Sequence, residues 1–217
     1  LTHPEFTGRI SPNSTNIFSP GSSVQDVIGH GTGVAGIIAA NRDLSGVVGV
    51  AQSATILALL TVNNGGTFSD DDIATAIDTA VVQGARVVNL SLGDDTIRPN
   101  ANLQSSMQNA VNSGVIIVNA AGNSFLSDSA FQARMSACAG ESNITCNGFN
   151  AQGLMLAVMS TDQNNNRSTF SNRCGTAANA CLAAPGTDIV TTANGGGFQT
   201  TSGTSLSAPH VSGALAL

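Results

Sequence analysis

Arg86-Val87-Val88-Asn89-Leu90-Ser91-Leu92, then a helical pattern over residues 101–113, then Val115-Ile116-Ile117-Val118-Asn119: this stretch decides the fold. The two flanking runs are nearly continuous apolar segments rich in β-branched residues. Strands buried on both faces of a parallel sheet read this way. Between them Leu103, Met107, Ala110 and Val111 recur at helical spacing, and Gly114 marks the stop. The alternation repeats on both sides. Thr55-Ile56-Leu57-Ala58-Leu59-Leu60 and residues 154–159 are further strand candidates. Ser69 is a good N-cap, and Asp70, Asp71 and Asp72 fill a first turn where the helix dipole favours anions. Ile73, Ile77, Ala80 and Val81 then share one face, and Gly84 closes that helix. Strands alternating with helices predict an α/β fold with a mainly parallel sheet.

Composition narrows the function. The chain has 217 residues, 41% hydrophobic and 9% charged, against about 25% charged in ordinary soluble domains. Abundant Val, Ile, Leu and Ala exclude a disordered chain. No apolar run approaches the ~20 residues of a membrane span. Net charge is −6 and all seven cations are Arg, so the basic patch that nucleic-acid binding needs is missing.

Four cysteines form two close pairs in sequence, Cys138 with Cys146 and Cys174 with Cys181. Three connectivities are open, local pairing being the simplest. The spacings are too wide for zinc knuckles. Disulfides would imply an oxidising compartment. Residues 123–153 and 163–184 read as long polar loops carrying these pairs. Residues 204–217 read as a helix with no stop signal after it, so the chain is expected to be an internal piece of a longer protein.

Three segments carry candidate chemistry. In Gly203-Thr204-Ser205-Leu206-Ser207-Ala208-Pro209-His210 a turn delivers a serine into the first turn of an apolar helix, where N–H groups stabilise developing negative charge. A plain N-cap is the alternative. In His30-Gly31-Thr32-Gly33-Val34-Ala35-Gly36 a histidine opens a helix of small residues and is placed to act as a general base. Asn119-Ala120-Ala121-Gly122-Asn123 ends an apolar strand, where sites on parallel sheets lie. Its amide could serve an oxyanion, or simply a polar turn.

Together with Ser91-Leu92-Gly93, these segments closely resemble the subtilisin-like serine proteases in order and spacing, across essentially the whole chain. The resemblance implies a three-layer sandwich truncated at both ends, residues 1–217 being a partial peptidase domain. It implies a secreted endopeptidase with Ser205 as nucleophile and His30 as base. Asn123 and the Ser205 backbone N–H would form the oxyanion hole. Peptide or protein substrates would lie between Gly65-Gly66-Thr67 and Ser91-Leu92-Gly93, with Ala121 and Gly122 lining the primary side-chain pocket. Such strand addition relies on main-chain hydrogen bonds.

The resemblance implies that the chemistry needs no cofactor. A structural calcium is possible at Glu5, Asp43 and the carbonyls of residues 41–47. His210 is implied to be structural. The family's acid sits in a D-S-G or D-T-G turn, absent here, and is expected just upstream of Leu1. Asp26 is the substitute candidate. Without the upstream strand this chain alone is expected to be inactive and poorly stable. The stretch around Cys174 and Cys181 resembles protease passenger domains of Gram-negative autotransporters. That implies export to the cell surface, and a propeptide and an outer-membrane barrel as partners. The competing reading is a catalytically silent scaffold of the same fold. An α/β-hydrolase is excluded because no G-x-S-x-G occurs.

Overall fold

The computed structural model describes residues 2–62, 66–95, 100–142 and 146–217. In chain order the elements begin with β1 (Thr15–Asn16), α1 (His30–Ala39), β2 (Leu59–Leu60), α2 (Asp70–Val82), β3 (Val87–Leu90) and α3 (Ala101–Asn112). They continue with β4 (Ile116–Ala120), α4 (Phe131–Arg134), β5 (Met155–Thr161), β6 (Cys181–Pro185), β7 (Ile189–Thr192), β8 (Phe198–Thr201) and α5 (Thr204–Leu215). Strands β3, β4, β5 and β6 pair in that order, all parallel.

Neighbouring side chains on β4 serve opposite cores. Ile117 faces Ile73, Ile77, Leu103, Met107 and Met155, the layer made by α2 and α3. Val118 faces Val158, Ala208 and Val211, the layer made by α5. The sheet is therefore apolar on both faces, the reason its strands read as continuous runs. The fold is the α/β sandwich with a parallel central sheet flanked by helices that the sequence implies.

Helix α1 packs against β7 and α5. Its small residues permit close approach: a Cβ on Gly36 would meet Thr191 Oγ1 at 2.8 Å. Thr191 Oγ1 donates to the Gly33 carbonyl and Thr192 Oγ1 to that of Thr32, each at 2.7 Å. Helix α1, which begins at His30, is thus clamped to the β7–β8 hairpin.

All four predicted helices form, Ser69 capping α2 through Asp72 N–H at 3.1 Å. Three segments differ from expectation. Of residues 55–60 only Leu59 and Leu60 form a strand, because partner segment 10–16 is broken by a turn in which Ser14 N–H bonds the Ser11 carbonyl. The end of the expected loop 163–184 is β6, the fourth strand of the main sheet. Its polar neighbours and half-exposed Leu182 hide it; pairing with β5 supplies what the local pattern lacks. The expected loop 123–153 contains the single turn α4. Cysteine pairing is local, Cys138–Cys146 and Cys174–Cys181. No sulfur among these four is free to hold zinc.

Candidate active site

A cavity of about 300 Å³ opens where β3 and β4 end and α5 begins. His30, Ser91, Leu92, Gly93, Gly122, Asn123 and Ser205 line it, joined by Asp95, Ala120, Ser124, Ala130 and Thr204. The three candidate catalytic side chains, more than 80 residues apart in pairs, therefore share one space. Ala121 does not line it: that residue is fully buried behind the wall, its carbonyl accepting from Ala130 N–H at 2.7 Å. Gly66 sits beside Ile28 rather than on the cavity wall. Gly65 lies outside the described residues.

Ser205 is the second residue of α5, whose N-cap, Gly203, makes no side-chain cap. A Cβ on Gly203 would meet Ser205 Oγ at 3.0 Å and Asn123 Nδ2 at 3.7 Å. Hydroxyl and amide thus flank the same small space. The amide is oriented by Thr204, whose N–H and Oγ1 both donate to Asn123 Oδ1, at 2.9 and 3.0 Å. Thr204 Oγ1 also accepts from Gly122 N–H at 3.1 Å. With Oδ1 occupied, Nδ2 faces the cavity as a donor. The Ser205 N–H belongs to the first helical turn, where N–H groups have no intrahelical partner.

Pro209 bears on the Ser205 backbone. It stands four residues after Ser205 inside α5 and has no N–H, so the Ser205 carbonyl loses its helical donor. Ser91 Oγ replaces it, donating to that carbonyl at 2.7 Å. Asn89 Nδ2 donates to Ser91 Oγ at 2.8 Å, and Ser212 Oγ to Asn89 Oδ1 at 2.9 Å. Strand β3 and helix α5 are joined by this chain directly behind Ser205.

His30 begins α1, its ring reaching the cavity edge. Burial lowers its pKa below the ordinary 6.5, and the Asp26 charge opposes that shift. The ring is therefore neutral at pH 7, as a general base must be. Asp26 does not hydrogen-bond it. Asp26 Oδ1 accepts from the N–H groups of Ile28 and Gly29 at 3.0 and 2.8 Å, and Oδ2 from Thr32 N–H and Oγ1, both at 2.8 Å. Burial alone would raise its pKa, but those bonds from Gly29, Thr32 and Ile28 outweigh it and hold the carboxyl below its ordinary value. Asp26 is the cap of the α1 turn, and both its oxygens are committed.

His210, inside α5, bonds the Leu206 carbonyl through Nδ1 at 2.8 Å. It stands outside the cavity. Glu5 is buried, and its Oε2 has no hydrogen-bond partner among the described residues. Burial first, then Asp43, raises its pKa. An under-satisfied buried carboxylate facing a second acidic residue is chemistry that a hard, oxygen-seeking cation relieves, so these residues fit calcium.

Sequence reading missed Asp95, Thr204 and Asn172. Thr204 lies inside a quoted motif, but its role needs Asn123 beside it. Asn172 is fully buried and uses its whole amide. Oδ1 accepts from Ser124 and Leu126 N–H, while Nδ2 donates to Asp95 Oδ1 and the Ala121 carbonyl.

The sequence model of the Subtilase family matches residues 2–217. Subtilisin Savinase of Lederbergia lenta is 38% identical over 217 residues, covering all of this chain and 71% of its own length. An alkaline protease of Shouchella clausii is also 38% identical over the whole chain, which spans half of that relative's length. A cold-adapted subtilisin-like serine proteinase superposes with a TM-score of 0.76 at 30% identity, over 99% of this chain and 69% of its own. Shared motifs, matched fold and a family match across nearly every residue lead to one conclusion: this chain belongs to the subtilase family.

Proposed function

We propose that this chain carries the catalytic centre of a secreted serine endopeptidase. Ser205 Oγ attacks the peptide carbonyl carbon while His30 takes its proton. The oxyanion is held by Asn123 Nδ2–H and the Ser205 N–H, donors fixed before substrate arrives. The tetrahedral adduct collapses, the imidazolium gives its proton to the leaving amine, and an acyl-Ser205 remains. Water, deprotonated by His30, then releases the acid. Ser91 to Gly93 form one wall of the path for an extended peptide; Gly65 and Gly66 are proposed for the other where that path runs beyond the cavity.

The observation carrying this reading is the convergence of His30, Asn123 and Ser205 on one cavity at the open N-terminus of α5. Asp26 is committed to its own turn, so we assign the acid that orients His30 to a carboxylate outside these 217 residues. The 217-residue chain alone is accordingly inactive. Glu5 and Asp43 would hold a calcium ion that neutralises local charge and takes no part in the chemistry. Two disulfides fit an oxidising compartment and export; the Cys174–Cys181 loop supports the autotransporter-like reading, with a propeptide and barrel as partners.

A fluorophosphonate probe on the intact protein tests the reading. An adduct on Ser205, abolished by Ser205→Ala, is expected. A folded protein with no adduct would leave a silent scaffold.

A further inference from the structure

Asp95 stands two residues after the Ser91-Leu92-Gly93 wall, and among the described residues it brings the one carboxylate into the cavity lining. Its position is close to the chemistry. A Cβ on Gly122, one residue before Asn123, would meet Asp95 Oδ1 at 2.7 Å. Around it the walls are small and neutral: Gly93, Ala120, Gly122 and Ala130 leave room for a long side chain.

The carboxylate is held rigidly by neutral donors. Asn172 Nδ2 donates to Oδ1 at 2.7 Å, and Ser124 Oγ donates to Oδ2. Asn172 is itself immobilised by its other bonds, so the Asp95 geometry is set before anything binds. An ionised carboxylate has about four acceptor positions, and these bonds use two. Among the described residues no cation pairs with it. Arg134 reaches only the Asp95 backbone carbonyl, at 3.3 Å, and turns its charge toward Asp128 at 3.7 Å. A fixed, half-satisfied negative charge in a cavity of small neutral walls is complementary to a guanidinium or ammonium group. An aliphatic side chain would strip water from that charge and return nothing, and an acidic one would be repelled.

We propose that Asp95 makes the primary pocket selective for arginine or lysine on the acyl side of the cleaved bond. This rests on the endopeptidase reading above and names its substrate class.

The test is a series of p-nitroanilide peptides, identical except for arginine, lysine, citrulline, leucine, phenylalanine or glutamate before the scissile bond, given to the intact protein. Citrulline keeps the shape of arginine and removes its charge. Arginine and lysine are expected to exceed citrulline and leucine in kcat/KM by roughly 10–100-fold. In Asp95→Asn the arginine-to-citrulline ratio should fall toward one. Equal rates for arginine and citrulline, or leucine or phenylalanine ahead of arginine, would overturn the proposal; the wild-type series decides this even if Asp95→Asn fails to fold. A Ser205 adduct with leucine ahead of arginine removes this inference and keeps the endopeptidase reading. Folded protein with no adduct removes both.

Discussion

Two helix starts meet at the cavity and are finished in opposite ways. At α1 the chain supplies its own anion: Asp26 takes four donors from Ile28, Gly29 and Thr32, and the positive helix end is sealed. At α5 the cap is Gly203, with no side chain to seal the Ser205 N–H, and Ser205 and the Asn123 amide line the cavity beside it. In the proposed mechanism the sealed end holds a neutral imidazole in place, while the open end receives the oxyanion. The difference explains why the nearest carboxylate to His30 in sequence is not its orienter.

Breaking the open end should have the largest effect. Asn123→Ala removes one oxyanion donor, and kcat in the intact protein should fall by about 10²–10³-fold with KM little changed, a magnitude taken from subtilisin itself. A loss in KM alone would show the amide binding substrate rather than the transition state.

Breaking the sealed end should cost stability instead. Asp26→Ala orphans several buried donors, worth about 2–4 kcal/mol at pH 7. The sign with pH follows from its pKa, which lies below the ordinary 3.8 in the folded chain. Its stabilisation is present above the unfolded value and is lost as pH falls through the lower folded one. Denaturant melts at pH 7 and near pH 3 should show the gap between wild type and variant shrinking in acid. The same substitution removes the charge that raises the His30 pKa, which burial holds below its ordinary value, so an imidazole NMR titration should place it lower in the variant than in the wild type. An upward move would show that Asp26 does not act on the ring by charge.

The smallest effect concerns the backbone behind Ser205. Ser91→Ala leaves the Ser205 carbonyl without a donor, at about 1 kcal/mol and a few-fold in kcat. In a Pro209→Ala background the helix regains its own N–H, and Ser91→Ala should then matter less. Additive effects of the two changes would refute the substitution of Ser91 Oγ for the missing helical donor.

The periodic segments were legible in the sequence because their signals are local. Ser69 caps α2, Leu103 to Val111 repeat along α3, and β4 and β5 are apolar on both faces. Strand β6 was not, since Cys181-Leu182-Ala183-Ala184-Pro185 is short and half exposed and becomes a strand by pairing with β5. The β7–β8 hairpin went unread for a related reason. Its turn, Asn194 to Gly197, is visible, but its threonines show their purpose only against α1. His30, Asn123 and Ser205 were readable because each sits in a short motif at an element's end.

By itself the sequence determined the alternating α/β order, the family and three candidate side chains for the chemistry, because periodicity and motif are properties of neighbouring residues. Tertiary structure alone decided what each group does to another. It committed Asp26 to a cap, aimed the Asn123 amide through Thr204, and put Ser91 where Pro209 withdraws a donor. It also set Asp95 against Gly122 in the cavity that His30, Asn123 and Ser205 line. Hydrogen bonds and charges act over a few ångströms in space, and only the folded chain brings residues this far apart in sequence within that reach.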